Sequence, residues 1–348
     1  MDFSVRDPIH NFIAFDEWER QVIDSSAFQR LRRIRQLALT EYVYPGASHN
    51  RFEHSLGTMH LATQMFDQIV KQHKSYLLNN RGYTDSGLDR DRRVVRFAAL
   101  LHDVGHSPFS HASERLMPMN NRTGFPYSHE DYSSEIIKTA LRSPIESHRS
   151  NDNYEITADM VADLITGQPN SANSPSARRM IWRPLISSQL DADRCDYLLR
   201  DSVHSGVSYG RYDLPRILVT LSLGLDESDD PHIAIEEGGW HAAKGLIIAR
   251  YMMFTQVYFQ HTRLALDFHI EKTLEYLLGS TGGKFPVPSA QSINEYLQWD
   301  DWKVLGILAN GGGGKHGQYI ATRNPYRSIY ETPEVPDNSD QIVFEKVL

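Results

Sequence analysis

The sequence predicts a mostly α-helical fold with one small β-hairpin and a short C-terminal α+β extension. Apolar residues recur at three- and four-residue spacing through most of the 348 residues, as in helices packed on a core. Only the segments 219–225 and 232–236, which are separated by acidic turn residues, alternate as hairpin strands do. We therefore expect a helical bundle over residues 1–280 and a partly flexible extension over residues 281–348, since a chain of this length can bury one large core.

Composition excludes several classes of protein. The 36 basic and 44 acidic residues give a formal net charge of -8, which argues against a protein that coats polyanions by releasing counterions. A single cysteine, Cys195, rules out an internal disulfide framework and fits a reducing compartment. No run approaches the ~18 apolar residues of a membrane span, and residues 1–7 lack an apolar export segment. We expect a cytoplasmic protein that does not contact membranes.

The first predicted helix covers residues 16–37. Its apolar positions follow the helical period, and Arg30, Arg32, Arg33 and Arg35 lie between them. A solvated helix face is the more common explanation of such a cluster. A phosphate-binding role for these arginines requires further support.

The next two helices carry histidines beside apolar residues. One is predicted over residues 49–71, with His54 near its start, and the other leads directly into the pair His102-Asp103 before Gly105 stops it. Burying an unpaired charge is costly, so a buried carboxylate next to an imidazole needs a partner. A metal ion is the obvious candidate.

The remaining elements are shorter, with one exception. Helical patterns occur at residues 129–141, 157–165, 178–190, 193–200, 214–218 and 293–308, and one long helix is predicted at 240–278. The run from Gly311 to Gly314 before Lys315 is reminiscent of a phosphate-binding loop, but Ala309 and His316 stand where that motif needs glycine and serine or threonine. We expect a flexible linker there.

Four potential metal ligands, His54, His102, Asp103 and Asp193, each lie on a predicted helix beside apolar positions. Facing helices of a bundle commonly build metal sites from such side chains. Two imidazoles and two carboxylates suit a divalent ion, either Mn, Fe, Mg, Ni, Co or Zn. The sequence does not choose among these metals.

Residues 193–201 allow two interpretations. Asp193, Tyr197 and Asp201 are spaced by four and share one helix face, as in the wall of an active site. An exposed helix with ion pairs four residues apart would also explain Arg194 and Asp201, although not Tyr197. Spacing alone leaves both interpretations open.

Three segments resemble the HD-domain phosphohydrolases, and within them the deoxynucleoside triphosphate (dNTP) triphosphohydrolases. These segments are YPGASHNRFEHSLG at 44–57, LHDVGHSPFS at 101–110 and DADRCDYLLRD at 191–201. A lone His-Asp pair is weak evidence, whereas this ordered set within residues 5–275 is specific. The resemblance implies an HD-domain helical bundle that assembles as a homo-oligomer. It also implies metal-dependent cleavage of dNTPs to deoxynucleoside and tripolyphosphate, with a nucleotide as activator.

The resemblance also implies residue roles. The four ligand candidates above would hold the metal, and His129 would be the general acid, oriented by Glu114 and accompanied by His111. Without the resemblance, each of these histidines would more often be an ordinary packed or surface residue. Substrate contacts are implied for Gln36, Leu37, Arg51, Arg194, Tyr197, Asp201 and His261.

Two further implications concern specificity and regulation. The arginine and tyrosine with which relatives contact the phosphates and sugar align with Val257 and Ala265 of this chain. Contacts to an activating nucleotide are implied for Asp24, Gln29, Arg32, Tyr44, Arg216, Arg323 and Arg327. Capping and solvation of the first helix would equally explain Gln29 and Arg32.

Two other functions compete with dNTP cleavage. The same metal site could act on another nucleotide, such as a monophosphate or signalling nucleotide, or on single-stranded nucleic acid, which the acidic balance disfavours. A non-catalytic nucleotide sensor is the third hypothesis.

Overall fold

The computed structural model describes residues 3–168, 178–227, 230–329 and 340. Helices dominate them, which confirms the predicted fold class. There are two antiparallel hairpins, β1 (Phe3–Asp7) with β2 (Asn11–Phe15) and β3 (Leu221–Leu225) with β4 (Pro231–Ile235). The α-helices in chain order are α1 (Glu17–Ile23), α2 (Ser26–Gln29), α3 (Arg51–Asn80), α4 (Asp85–Leu101), α5 (His129–Lys138), α6 (Arg142–Glu146), α7 (Ala158–Thr166), α8 (Ala192–Ser205), α9 (Leu214–Thr220), α10 (Trp240–Met253), α11 (His261–Leu277), α12 (Ile293–Tyr296), α13 (Asp301–Ala309) and α14 (Gly314–Ala321).

Helix α3 lies at the centre of the core, where it contacts α4, α8 and β3. Its buried side chains include Met59, Met65 and Phe66, and Phe66 packs against the buried Trp182 with ring centroids 4.3 Å apart. Gly57 allows α8 to approach, because a Cβ at this position would lie 1.9 Å from the Asp196 carboxylate. Within the described ranges, no helix is long and apolar enough to cross a membrane.

Local capping determines where the helices bearing the candidate ligands begin. The Asn50 side chain accepts from the backbone N–H groups of Phe52 and Glu53, and the Glu53 carboxylate accepts from the Asn50 N–H. Asp191 caps α8 in the same way by accepting from the Arg194 N–H at 2.7 Å. These caps place His54 and Asp193 in the first turns of α3 and α8.

The prediction of one helix over residues 16–37 was wrong. Helix α1 ends at Ile23, and Ser25 starts α2 by accepting from the Phe28 N–H. A 3-10 turn over Arg30–Arg33 follows, and the chain then becomes irregular. The serine competes for the backbone donors that a continuous helix would use. Gln36 and Leu37 consequently lie on a loop.

The single long helix predicted at 240–278 is also interrupted. A π-helical turn over Phe254–Tyr258 follows α10, and the Gln260 side chain starts α11 by accepting from the Arg263 N–H at 2.9 Å. Such π turns are frequent at functional sites because they redirect side chains. Apolar periodicity continues across the interruption and therefore did not reveal it.

The hairpin β3–β4 was predicted to within a few residues, whereas β1–β2 was missed. Residues 281–329 contain helices and no strand, so the β part of the expected extension is not found among those residues, and much of residues 330–348 lies outside the description. Gly311 to Gly313, where the sequence predicted a flexible linker, lie in a short turn that leads directly into α14. Positive φ angles at Gly311 and Gly313, of 77° and 83°, make this turn possible.

Candidate active site

The four predicted metal ligands meet where α3, α8 and the end of α4 converge. Ligand atoms of His54, His102 and Asp193 lie within 4.8 Å of one another. Asp193 Oδ1 is 3.0 Å from His54 Nε2 and 3.6 Å from His102 Nε2. Asp103 completes the group, with carboxylate oxygens 3.4 Å from His54 Nε2 and 3.3 Å from His102 Nε2.

The two imidazoles are oriented as metal ligands. His54 Nδ1 donates to the Asp196 carboxylate at 2.8 Å, and His102 Nδ1 donates to the Ala99 carbonyl at 2.8 Å. Among the described residues, the buried Nε2 atoms of both histidines have no hydrogen-bond partner. Protonation at Nδ1 leaves the Nε2 lone pair free, as metal ligation requires. The donor set therefore fits a divalent ion.

Both ligand carboxylates are held in the charged form. Burial raises the pKa of Asp103, but the Arg51 guanidinium, which donates to it, and the neighbouring His102 and His106 lower that pKa well below its usual range. Burial likewise raises the pKa of Asp193, but the facing imidazoles of His102 and His54 outweigh burial and lower that pKa. Ionised carboxylates are the form that binds a cation.

A second cluster contains three histidines and one carboxylate. Ligand-type atoms of His106, His111, Glu114 and His129 lie within 4.8 Å of one another. Glu114 Oε1 accepts from His129 Nδ1 at 2.9 Å and lies 3.0 Å from His111 Nδ1. The ring of His106 stacks on that of His129 with centroids 3.9 Å apart. Glu114 thus bridges the two outer histidines.

This cluster favours a protonated His129. Burial lowers the pKa of His129, but the hydrogen bond to Glu114 and the charges of Glu130 and Asp103 raise it above its usual value. Burial raises the pKa of Glu114, and hydrogen bonds from His111 and His129 lower it strongly. The directions of these two shifts favour an ion pair between His129 and Glu114.

A cavity of about 530 Å³ opens onto both clusters. His111 and Glu114 line it, whereas His129 lies behind Glu114. The side chain of His111 is 60% exposed and that of His129 is 18% exposed. The lining residues are Gln36, Leu37, Arg51, Phe109, Ser110, His111, Glu114, Asp193, Arg194, Tyr197, Asp201, Arg250, Phe254, Tyr258, Phe259 and Arg263.

The far wall of the cavity is a polar arrangement around Asp201. His49 Nε2 lies 2.7 Å from Asp201 Oδ1, and the Tyr258 hydroxyl donates to Asp201 Oδ2 at 2.6 Å. Burial, followed by the charge of Asp201, raises the pKa of Tyr258 well above its usual value, which keeps its proton in this bond. Tyr197 lies beside Tyr258 with ring centroids 6.4 Å apart. Asp201 is thereby fixed with its carboxylate at the cavity surface.

Comparison with family models decides the family. Residues 51–201 match the HD domain. The chain contains an HD domain. The match contains all four predicted metal ligands and the second cluster, which confirms the family that the three sequence segments indicated.

Known relatives of this HD-domain protein share much of its length. An uncharacterised protein of Methanocaldococcus jannaschii is 36% identical over 78% of this chain and 49% of its own. The deoxynucleoside triphosphate triphosphohydrolase SAMHD1 of Bos taurus is 31% identical over 94% of this chain and 58% of its own. The chain thus spans about half the length of these curated relatives. A crystal structure of a hypothetical protein from Aquifex aeolicus has a TM-score of 0.74 and 28% identity, covering 100% of this chain and 81% of that one.

The region after the HD domain differs from the sequence prediction. Val257 is buried and, like Ala265, lies outside the cavity lining, whereas Arg250, Tyr258 and Arg263 line the cavity. Arg250 and Tyr258 are eight residues apart, with Phe254 midway, and that spacing was the signal that could have found them.

The predicted position of His261 also needs correction. His261 is the exposed first residue of α11 and lies outside the cavity lining, although Phe259 and Arg263 on either side of it line the cavity. The other predicted substrate residues, Gln36, Leu37, Arg51, Arg194, Tyr197 and Asp201, all line the cavity.

The structure brings only three of the seven predicted effector residues together. Asp24, Gln29 and Arg32 line a separate cleft of about 360 Å³ beside the hairpin β1–β2, where the Arg32 guanidinium lies 3.5 Å from the centre of the Phe52 ring. Tyr44 lies outside this cleft and donates to the Gln256 carbonyl. The remaining three are also outside it and exposed: Arg216, Arg323 and Arg327.

Proposed function

We propose that this HD-domain protein is a metal-dependent phosphohydrolase that cleaves a deoxynucleoside triphosphate to a deoxynucleoside and inorganic tripolyphosphate. The observation that carries the proposal is the cavity wall above the metal ligands. Four arginines line it: Arg51, Arg194, Arg250 and Arg263. A triphosphate bears roughly three to four negative charges near neutral pH, because each phosphate bears at least one. A monophosphate could contact only some of these arginines at once.

The rest of the cavity suits a nucleoside. The rings of Tyr197, Phe254 and Phe259 offer surfaces on which a base can stack. The Asp201 carboxylate is oriented to accept a hydrogen bond from a sugar hydroxyl. Buried Gln36 Oε1 has no partner among the described residues and can accept another. An apolar neighbour, Leu37, favours the sugar without the 2′-hydroxyl, because that hydroxyl would be left unpaired.

The relatives support the same substrate class. The similar proteins from cattle, mouse and chicken are named deoxynucleoside triphosphate triphosphohydrolases. The matched segments cover 33% to 58% of the lengths of these relatives. The proposal for this chain therefore depends on its own cavity residues.

In the proposed reaction, water attacks the α-phosphorus, its oxygen enters tripolyphosphate, and the bond between this phosphorus and the 5′ oxygen breaks. A divalent ion held by His54, His102, Asp103 and Asp193 would polarise the phosphoryl oxygens and lower the pKa of the attacking water. The arginines bind and orient the triphosphate. The leaving 5′ oxygen needs a proton.

We assign delivery of that proton to the cluster centred on Glu114. His129 was the donor expected from the sequence, but His111 is the imidazole on the cavity wall, with Glu114 behind it. His111 therefore meets the substrate, Glu114 orients it, and His129 supports the Glu114 carboxylate from the other side. His111→Gln should lower kcat more than His129→Gln, with metal content unchanged in both. The opposite order would return the donor role to His129.

We also propose nucleotide regulation in the cleft near Asp24. A carboxylate, an amide and the Phe52 ring in one cleft suit a purine base of an activating nucleotide. Homo-oligomerisation is part of this proposal, because relatives hold activators between subunits. Titrating a second, non-hydrolysed nucleotide into the assay tests it, and an Asp24→Ala variant that keeps full activation would refute it.

Product analysis tests the main proposal. Purified protein is incubated with Mn²⁺, Mg²⁺ or Zn²⁺ and, in turn, each dNTP, each NTP, each deoxynucleoside monophosphate and single-stranded DNA. Release of deoxynucleoside and tripolyphosphate, with label from H₂¹⁸O in the tripolyphosphate, is the expected result. Phosphate from monophosphates or shortened DNA would establish one of the alternative substrates. Nucleotide binding without any product would establish a sensor.

A further inference from the structure

We propose that Asp301, which lies outside the HD-domain match, is a positioning residue that holds two walls of the active-site cavity together. Asp301 is the first residue of α13 and is fully buried, at 0% exposure. Its Oδ1 accepts from the Phe109 N–H at 2.7 Å, and its Oδ2 accepts from the Arg35 N–H at 2.9 Å. One carboxylate thus joins two segments that are 74 residues apart in the chain.

Both segments supply the cavity with side chains. Arg35 immediately precedes Gln36 and Leu37, and Phe109 immediately precedes Ser110 and His111. Asp301 itself does not line the cavity, so it acts through the residues that it holds.

Ser110 strengthens the connection between the two walls. Its hydroxyl donates to the Arg35 carbonyl at 2.6 Å and accepts from Arg51 Nε at 2.7 Å. Arg51 in turn donates to Asp103, one of the metal ligands. A displacement of the Phe109 backbone would therefore reach the arginine on the phosphate wall.

The backbone at this point needs external support. Phe109 and Ser110 are consecutive non-glycine residues in the left-handed region, with φ of 60° and 56°. Such conformations persist only where the surroundings impose them, and they concentrate at functional sites. The Asp301 carboxylate binds the N–H of the first strained residue. It is therefore placed to select this loop conformation.

A second contact from the same part of the chain supports the assignment. The buried Arg30 guanidinium donates to the Trp299 carbonyl at 2.9 Å and to the His106 carbonyl at 2.8 Å. Residues 299–301 therefore hold the loop that contains His106 and Phe109. Trp299 does so through Arg30 at His106, and Asp301 does so directly at Phe109. The C-terminal extension is part of the active-site scaffold.

The bond pattern requires a carboxylate specifically. Each oxygen accepts from a different backbone donor, so both oxygens must be acceptors. The isosteric Asp301→Asn has one acceptor oxygen and an NH₂ group that would face the other N–H. A buried donor without an acceptor is costly, so one of the two walls must move.

The test compares Asp301→Asn with Asp300→Asn in the full chain. Asp300 caps the same helix by accepting from the Lys303 N–H at 2.9 Å, which asparagine also does well, and it pairs with Arg33. Hydrogen exchange, metal content and steady-state dNTP cleavage are measured for both variants. Asp301→Asn should increase exchange in residues 35–37 and 104–111 and lower kcat/KM about 10- to 100-fold, the scale of a small misplacement of reacting groups. Metal content should be unchanged, and Asp300→Asn should resemble wild type.

The outcomes separate this proposal from the proposed function, on which its kinetic readout rests. Wild-type kinetics and exchange in Asp301→Asn would overturn the positioning role, as would equal losses in both variants. If the wild-type protein cleaves no dNTP, the proposed function fails. Exchange at the two walls, and affinity for a non-hydrolysable dNTP analogue, then still decide the role of Asp301.

Discussion

Asp196, the carboxylate that accepts from His54 Nδ1, should strengthen metal binding at the candidate site. Asp196 is fully buried and accepts from His54 Nδ1 at 2.8 Å and from Arg200 Nε and Nη2, both at 2.8 Å. His10, from the turn of the missed hairpin β1–β2, lies 2.7 Å from its other oxygen. Asp196→Asn keeps the shape of the side chain and removes its charge.

Two effects of different size should follow. Loss of a carboxylate behind a ligating histidine typically weakens metal binding by ~10- to 100-fold, or about 1.4–2.8 kcal/mol. The variant also leaves Arg200 with a weaker buried partner, although Asp7 still accepts from it at 2.8 Å. Breaking a buried ion pair costs about 3–5 kcal/mol, and the remaining Asp7 contact places the expected loss of folding stability at or below the low end of that range.

Asp91→Asn is the matched control. Asp91 is a buried carboxylate paired with Arg179 Nε at 2.8 Å, and it lies outside the candidate active site. Titration of metal into the apo protein gives the dissociation constant, and urea unfolding of the same samples gives the stability. Both variants should lose stability, but only Asp196→Asn should lose metal affinity. Equal metal affinity in the two variants would refute a role for Asp196 at the metal site.

Three further substitutions test other parts of the site. Asp103→Ala should lose bound metal and activity together, and metal retained at full stoichiometry would contradict its assignment as a ligand. Gly57→Ala should cost about 1–3 kcal/mol by overpacking and weaken metal binding, because the new Cβ displaces Asp196; unchanged urea unfolding would argue against this close approach. Glu114→Gln should lower the pKa of His129, measured by NMR titration of its imidazole, because the carboxylate raises that pKa. The raised pKa of His129 stabilises the fold at pH values below the unfolded pKa of ~6.5, and this stabilisation is lost as the pH rises through the pKa of the folded state. Wild type should therefore lose stability over that pH range, whereas Glu114→Gln should not.

The candidate metal ligands were predictable from the sequence because residues close to each of them in the chain mark its position. His54 and Asp193 follow capping residues by a few positions, and His102-Asp103 ends an apolar helix, so motif and periodicity sufficed. The partner of His54 was not predictable in this way. Asp196 is 142 residues from His54 and 186 residues from His10, and no spacing rule connects residues so far apart in the chain.

The missed cavity residues have a different physical origin. Periodicity reports which residues are buried, and it continues unbroken through the π-helical turn that directs Tyr258 towards Asp201. Burial of Asp301 could likewise be guessed from its apolar neighbours, but its hydrogen-bond partners depend on a strained loop near Phe109. Backbone strain of this kind leaves no periodic signal in the sequence.

The candidate metal ligands lie inside the family match, whereas the cavity wall is built from residues on both sides of its end. The match over residues 51–201 contains these ligands and the Glu114 cluster, to which we assign attack on phosphorus and protonation of the leaving group. Gln36, Arg250, Tyr258 and Arg263 line the same cavity from outside that match, and Asp301 positions two of its walls. The proposed substrate contacts therefore come from both sides of the match, with Arg194, Tyr197 and Asp201 inside it and Gln36, Arg250 and Tyr258 outside it. A match to the HD domain alone leaves the second group unassigned, so the substrate has to be inferred from the whole cavity.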